Sequence, residues 1–335
     1  MEHLVLGLGA VGVSTVIIFA YLVFIWWLDR YEREPFWVVL IAFCWGGVGG
    51  TLLGCILSVT MSIPAAELIP TAYADVLMVA VIAPFAEEFT KGLIFVLLVF
   101  TPYLDNETDG LIYGAAAGLG FAAVENMLYF LATAAAGDPE VFYATVVMRT
   151  LFTALVHAIS TALLGYAIGY VRHRRLWPRL WLWPIIGYVL AVANHALWNF
   201  LVFASGVEFL SETMTDETML MAMVFVFFMS GAMFVITQIS LMREQQIIGK
   251  YLADEAQRGT LPKEHAGVIP SWRNRRKKGW VPPGVPHKEY VEAATLLAFR
   301  RYQADTAAKR FEQRYQKRVE ENRRKVREML GGRQG

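Results

Sequence analysis

Long apolar runs separated by short polar interruptions follow one another along the first 240 residues. The runs cover about 4–28, 36–59, 76–100, 110–134, 145–171, 181–205 and 217–241. Each has the roughly 20 apolar residues that a helix needs to cross a hydrocarbon core. In lipid every backbone N–H and C=O must be satisfied within the segment, so each run predicts a transmembrane helix. The expected fold class is all-α, a polytopic helical membrane bundle of about seven transmembrane helices. Glycines in the second run (46, 47, 49, 50 and 54) and the fourth (114, 118 and 120) let helix backbones approach closely. The first run has no basic flank before it and no small-residue cleavage site, so it reads as an uncleaved anchor.

Beyond 241 the pattern changes. Residues 242–287 carry Pro262, Pro270, Pro282, Pro283 and Pro286 and the run RNRRKK at 273–278, which predicts a basic, irregular linker. Residues 288–335 are dense in charge. A narrow apolar stripe of Phe311, Tyr315, Val319, Val326 and Leu330 predicts one long amphipathic helix that self-associates or lies on the bilayer. Three regions follow: a bundle over 1–241, a linker over 242–287 and a charged cytoplasmic helix over 288–335.

Composition supports a membrane setting and adds a direction. Hydrophobic residues make up 56% and charged residues 18%, against about a quarter charged in soluble domains, and the mean hydropathy is +0.43. The formal charge of +1 hides a sorting: residues 1–240 hold 8 Lys and Arg against 18 Asp and Glu, and the rest hold 22 against 11. A secreted disulfide scaffold, a disordered chain and a soluble nucleic-acid binder are all disfavoured. Arg30 and Arg33 follow the first run, Arg172, Arg174, Arg175 and Arg179 follow the fifth, and the tail holds the remaining cluster. The positive-inside rule therefore predicts a multi-pass cell-membrane protein with the N-terminus outside and the C-terminus cytoplasmic. The basic run beside the membrane is expected to attract anionic lipid headgroups. No nucleic-acid partner is expected, because the segment is tethered to a membrane and has no nucleic-acid-binding fold.

Charged groups at membrane depth are costly and point to function. The third run holds Glu87, Glu88 and Lys91, with the lysine four and three residues from the two carboxylates. The fourth holds Glu125 and Asn126 and no cation. The fifth carries Arg149, Thr153, His157 and Ser160 on one helical stripe, and the sixth His195 and Asn199 one turn apart. These spacings predict one interior polar cluster. It contains no Ser/His/Asp set, no paired aspartates on two spans and no HExxH helix. What remains is Glu plus His: a carboxylate that takes a proton from water, or His and Glu ligands holding a zinc ion that activates the same water. A proton-coupled transporter is the alternative use of such a cluster, but many carriers show internal repeats, which are not visible here.

DRYEREPF after the first run, EEFTK in the third, FAAVE at Phe121 to Glu125, the stretch from Arg149 to Gly165 and HALWN at His195 to Asn199 together resemble the PrsW family of intramembrane proteases. That family is related to the CAAX prenyl endopeptidases and bacteriocin-immunity membrane proteins. The resemblance covers about 15–205 and implies a polytopic peptidase with a glutamate and histidine site, acting on a membrane-anchored substrate such as an anti-sigma factor. Carried over by motif, Glu87 is the base and His195 with Asn199 an oxyanion or ligand pair. Glu125 stands where the CAAX relatives have a histidine. The PrsW group is classed as metallopeptidases, which implies Glu125, His157 and His195 as zinc ligands, one per helix. Glu87 or Glu88 is then the base, Lys91 biases which of the two stays ionised, and Asn199 and Arg149 orient substrate carbonyls.

Overall fold

The computed structural model describes residues 2–68, 71–172, 182–205, 212–306 and 309–331, and every regular element among them is helical. The protein is an all-α polytopic membrane protein, and the described residues fall into two compact units.

The first unit comprises residues 1–28, 34–172 and 178–235. It contains α1 (Glu2–Leu28), α2 (Phe36–Cys44), α3 (Thr51–Leu68), α4 (Thr71–Leu77), α5 (Ala83–Gly92), α6 (Ile94–Leu98), α7 (Glu107–Ala136), α8 (Pro139–Met148), α9 (Ala154–Val171), α10 (Leu182–Ser205) and the first part of α11 (Glu212–Gln257). Short π-helical turns join α2 to α3 (Trp45–Gly50), α4 to α5 (Met78–Ile82) and α8 to α9 (Arg149–Thr153). Among the described residues, six helices are long and apolar enough to cross a membrane: Glu2–Leu28, Phe36–Pro64, Glu107–Ala136, Pro139–Val171, Leu182–Phe203 and Glu217–Gln257.

The run expected as the third span, 76–100, differs from the other six. It folds as α4, a π turn, α5 and α6 in succession, with Leu93 interrupting the ladder between the last two. Pro84, at the start of α5, has no N–H to donate back into the π turn that precedes it.

Local chemistry fixes the central helix α7. Asn106 and Asp109 form a reciprocal capping box at its start, with the Asp109 N–H donating to Asn106 Oδ1 at 3.0 Å and the Asn106 N–H to Asp109 Oδ2 at 3.1 Å. Gly137, at φ 80°, ends it in the left-handed conformation. Asp138 then caps α8 by accepting from the Glu140 and Val141 N–H groups at 3.0 and 3.2 Å. The flanks of α7 are closed backbone to backbone. A Cβ at Gly110, Gly114 or Gly118 would overlap the α9 carbonyls of Gly165, Thr161 and His157 respectively, and one at Gly120 would overlap the Phe43 carbonyl on α2.

The second unit comprises residues 29–33, 173–177 and 236–335. It differs from the sequence expectation at two points. Residues 242–257 continue α11, and α12 (Lys263–Val268) forms within the stretch expected as linker, so only 258–262 and 269–286 are irregular. The tail is two packed helices, α13 (His287–Thr306) and α14 (Lys309–Met329), where one was expected. Tyr315, Val319 and Val326 of the expected free stripe are buried against Tyr251, Leu252, Tyr290, Leu297 and Phe299 of the same chain, so the surface foreseen for self-association is occupied internally. Phe311 lies outside the residues whose side chains are described. Glu255, fully buried, is gripped by Arg323 through Nε at 2.8 Å and Nη2 at 2.6 Å.

His265 is buried against Tyr290, whose hydroxyl lies 2.8 Å from His265 Nδ1. Burial holds the imidazole below its ordinary value of about 6.5. Its contribution to stability is therefore full above that value and is lost as pH falls through the depressed folded value. Hydrogen exchange of peptides spanning 263–290, corrected for intrinsic rates, is expected to accelerate between pH 7.5 and 5.5, and less so in His265→Phe.

Candidate active site

Four helices and one π turn converge on one buried polar cluster. Lys91 of α5, fully buried, donates to Glu88 Oε1 at 2.8 Å and lies 2.9 Å from His157 Nδ1 on α9. Paired with Glu88 as an ammonium, Lys91 has only protons to offer, so Nδ1 of His157 accepts and its Nε2 carries the ring proton. That proton goes to Glu125 Oε2 on α7, 2.9 Å away. Glu125 is also paired with Arg149 Nη2 at 2.5 Å. The run Lys91, His157, Glu125, Arg149 is thus a continuous polar chain across α5, α9, α7 and the π turn that precedes α9.

Glu88 is saturated. Besides Lys91 it accepts from Thr161 Oγ1 at 2.8 Å and from His195 Nδ1 at 3.0 Å. With Nδ1 donating, the His195 Nε2 lone pair is left pointing into the cluster, 3.7 Å from Glu87 Oε2. Glu87 Oε2 is buried and accepts no hydrogen bond, and Lys91 Nζ is also 3.7 Å away. The two imidazole rings meet edge to face with centroids 4.6 Å apart.

The geometry divides residues that the sequence had grouped. Glu87, Glu88, Lys91, Glu125, Arg149, His157 and His195 all join the cluster. Asn199 does not: its amide donates to the Val79 carbonyl at 3.0 Å, tying α10 to the π turn that leads into α5. Arg149 is turned inward, with Nε on Asn126 Oδ1 at 3.1 Å and its guanidinium carbon 3.7 Å from the centre of the Tyr129 ring. Two contributors were not anticipated. Thr161 holds Glu88, and the Phe121 ring lies 3.9 Å from Lys91 Nζ as a cation–π partner. Thr161 was accessible in principle, because it lies one turn beyond His157 on the same face.

Ligand atoms of Glu87, His157 and His195 all lie within 4.8 Å of one another, so this trio could hold a metal ion. The trio implied by the family resemblance had Glu125 in place of Glu87. The donor chemistry fits: two imidazole nitrogens and a carboxylate oxygen are the usual protein ligands of a catalytic zinc, the Glu87 oxygen is otherwise unsatisfied, and Glu88 fixes the His195 ring through its far nitrogen.

The sequence model of the PrsW family, described as intramembrane metalloproteases, matches residues 34–233, which include every member of the cluster. The chain belongs to the PrsW family. Similar proteins include Protease PrsW of Geobacillus kaustophilus, 27% identical over 177 residues that cover 52% of this chain and 72% of that one. Protease PrsW of Shouchella clausii is 26% identical over 179 residues, 53% of this chain and 76% of that one. Protease PrsW of Halalkalibacterium halodurans is 32% identical over 124 residues, 34% and 53% of the respective chains. No solved structure matches the chain. PrsW membership makes the bundle a membrane peptidase, and the PrsW match ends just before the second unit resumes at Ile236.

Proposed function

We propose that the protein hydrolyses a peptide bond in a membrane-anchored protein, with Glu87, His157 and His195 as the ligands of a zinc ion and Glu125 as the general base. The observation that carries this reading is the unsatisfied, buried Glu87 oxygen facing the two histidines. Zinc held there would lower the pKa of a water molecule at its open position.

The remaining chemistry belongs to the chain. With His157 Nε2 in a ligand role, its ring proton would sit on Nδ1 and Lys91 would turn to Glu88 alone; Glu125, released from that nitrogen, would then be held by Arg149 with Oε2 free to accept a proton. Water loses a proton to Glu125 as its oxygen adds to the substrate carbonyl carbon. The C–N bond then breaks, and the proton passes from Glu125 to the departing amine. Arg149 lies beside this oxygen and offers positive charge to the developing oxyanion. Glu88 and Lys91 are positioning residues: Glu88 orients His195, and Lys91 neutralises Glu88. Asn199, bonded to Val79, supports the α5 approach and takes no part in the chemistry. The substrate class is a single-span protein, anti-sigma-factor-like by family resemblance, and the basic loops favour an outside N-terminus and a cytoplasmic C-terminus.

The test is cleavage of candidate single-span proteins by purified, reconstituted protein. A zinc chelator is expected to lower the rate at least about 100-fold, with recovery on adding zinc. A rate indifferent to chelation would remove the metal from this reading.

A further inference from the structure

A second built surface lies in the second unit, outside the stretch that the family model matches. Residues 29–33 follow directly on Leu28, the last residue of the membrane-crossing α1. At about 3.5 Å per residue, Arg30 is within roughly 7 Å of the helix end. Trp26 and Trp27 before it and Trp37 after it are the aromatic residues that mark a membrane–water boundary.

The basic turn at 271–278 is fastened to this short segment. The Arg30 guanidinium carbon lies 5.3 Å from the Trp272 ring centre, and Arg276 lies 4.8 Å from the same ring. Arg275 points the other way. It is only 7% exposed, 5.4 Å from the Tyr31 ring, and its Nη1 has no hydrogen-bond partner. The inward arginine pins the turn, while Arg273, Arg276, Lys277 and Lys278 are exposed and pair with no acidic side chain among the described residues. A flexible tail would spread these charges through a large volume. Here they are held in one place, next to residues that directly follow a membrane-crossing helix.

We infer that the turn 271–278 is a docking face for anionic lipid headgroups, held at the membrane surface by Arg275 on Tyr31 and by Trp272 on Arg30. Four exposed cations share one short turn fastened to the residues that directly follow a membrane-crossing helix, and basic residues near a membrane surface are attracted to anionic lipid. Trp272 supplies the amphipathic ring that such boundaries favour. A lipid surface is the partner that the tether selects.

Native mass spectrometry of the purified full chain, released from micelles with equimolar phosphatidylglycerol and phosphatidylethanolamine, tests this directly. The wild type is expected to retain phosphatidylglycerol preferentially. Replacing Arg273, Arg276, Lys277 and Lys278 by Gln is expected to lower that preference at least about ten-fold, since each such residue near the surface contributes roughly five-fold. Tyr31→Ala keeps every charge but removes the pin, and is expected to lower the preference several-fold. Lys288→Gln, at an exposed lysine elsewhere in the unit, should leave it unchanged. Glu87→Gln should also leave it unchanged, which separates this inference from the peptidase reading. A quadruple variant with wild-type preference overturns the inference, as does a wild type that carries RNA which the quadruple variant releases. A Tyr31→Ala chain with wild-type preference also overturns it, because the charges would then act without being held.

Discussion

Glu87→Gln is expected to abolish cleavage, by about 1,000-fold or more, and to lose its bound zinc while the protein still inserts and folds. The amide is nearly isosteric, and Glu87 Oε2 makes no hydrogen bond in the folded protein, so little stability depends on its charge. What disappears is the anionic donor facing His157 and His195. Glu125→Gln is expected to cost a similar factor, the range associated with losing a general base, but to keep its zinc. The two variants therefore differ in a quantity independent of rate: metal per chain by elemental analysis. Zinc lost from Glu125→Gln and retained in Glu87→Gln would instead favour the assignment implied by the family resemblance, with Glu125 as ligand and Glu87 as base.

Gly118→Ala is expected to lower activity about 100-fold without touching an ionisable group. A methyl group at this position would overlap the carbonyl of His157 on α9. Both sides of the contact are backbone, so no side chain can swing away and the two helices must separate. His157 then moves relative to Glu125 and Lys91, to each of which it is bound at 2.9 Å. A displacement of about 1 Å in such a constellation costs on the order of 100-fold, and overpacking costs about 1–3 kcal/mol of stability. Gly12→Ala is the matched control, since a methyl group there meets nothing within 4 Å. Equal activity of the two variants would show that the α7–α9 seam does not govern the site.

The bundle was legible because lipid imposes one rule along the whole chain: apolar residues must run for the thickness of the hydrocarbon. The charged residues violating that rule, from Glu87 to His195, identified the cluster for the same reason. Its internal wiring was less accessible. Glu87 and Glu88 are adjacent in sequence, and only the arrival of Thr161 and His195 from other helices saturates one and leaves the other unsatisfied. His195 and Asn199 share a face by spacing, yet the neighbouring π turn draws the amide away to Val79. The tail misled for a related reason. Its stripe at Tyr315, Val319 and Val326 has the same appearance whether the partner is a second copy, a bilayer or, as here, α11 and α13 of the same chain.

The fragmented path from Thr71 to Leu98 also bears on how the protein is made. Each ionised residue near the centre of a helix raises the apparent cost of handing that helix to the bilayer by about 3 kcal/mol, and α5 carries three within five residues. The partners that offset this, His157, Thr161 and His195, are synthesised later. Residues 71–98 are therefore expected to enter the lipid as part of an assembled group and not as an independent stop-transfer segment. Substitutions such as Lys91→Ala will consequently change how many molecules reach the membrane as well as how fast each one works, and rates need to be normalised to inserted protein.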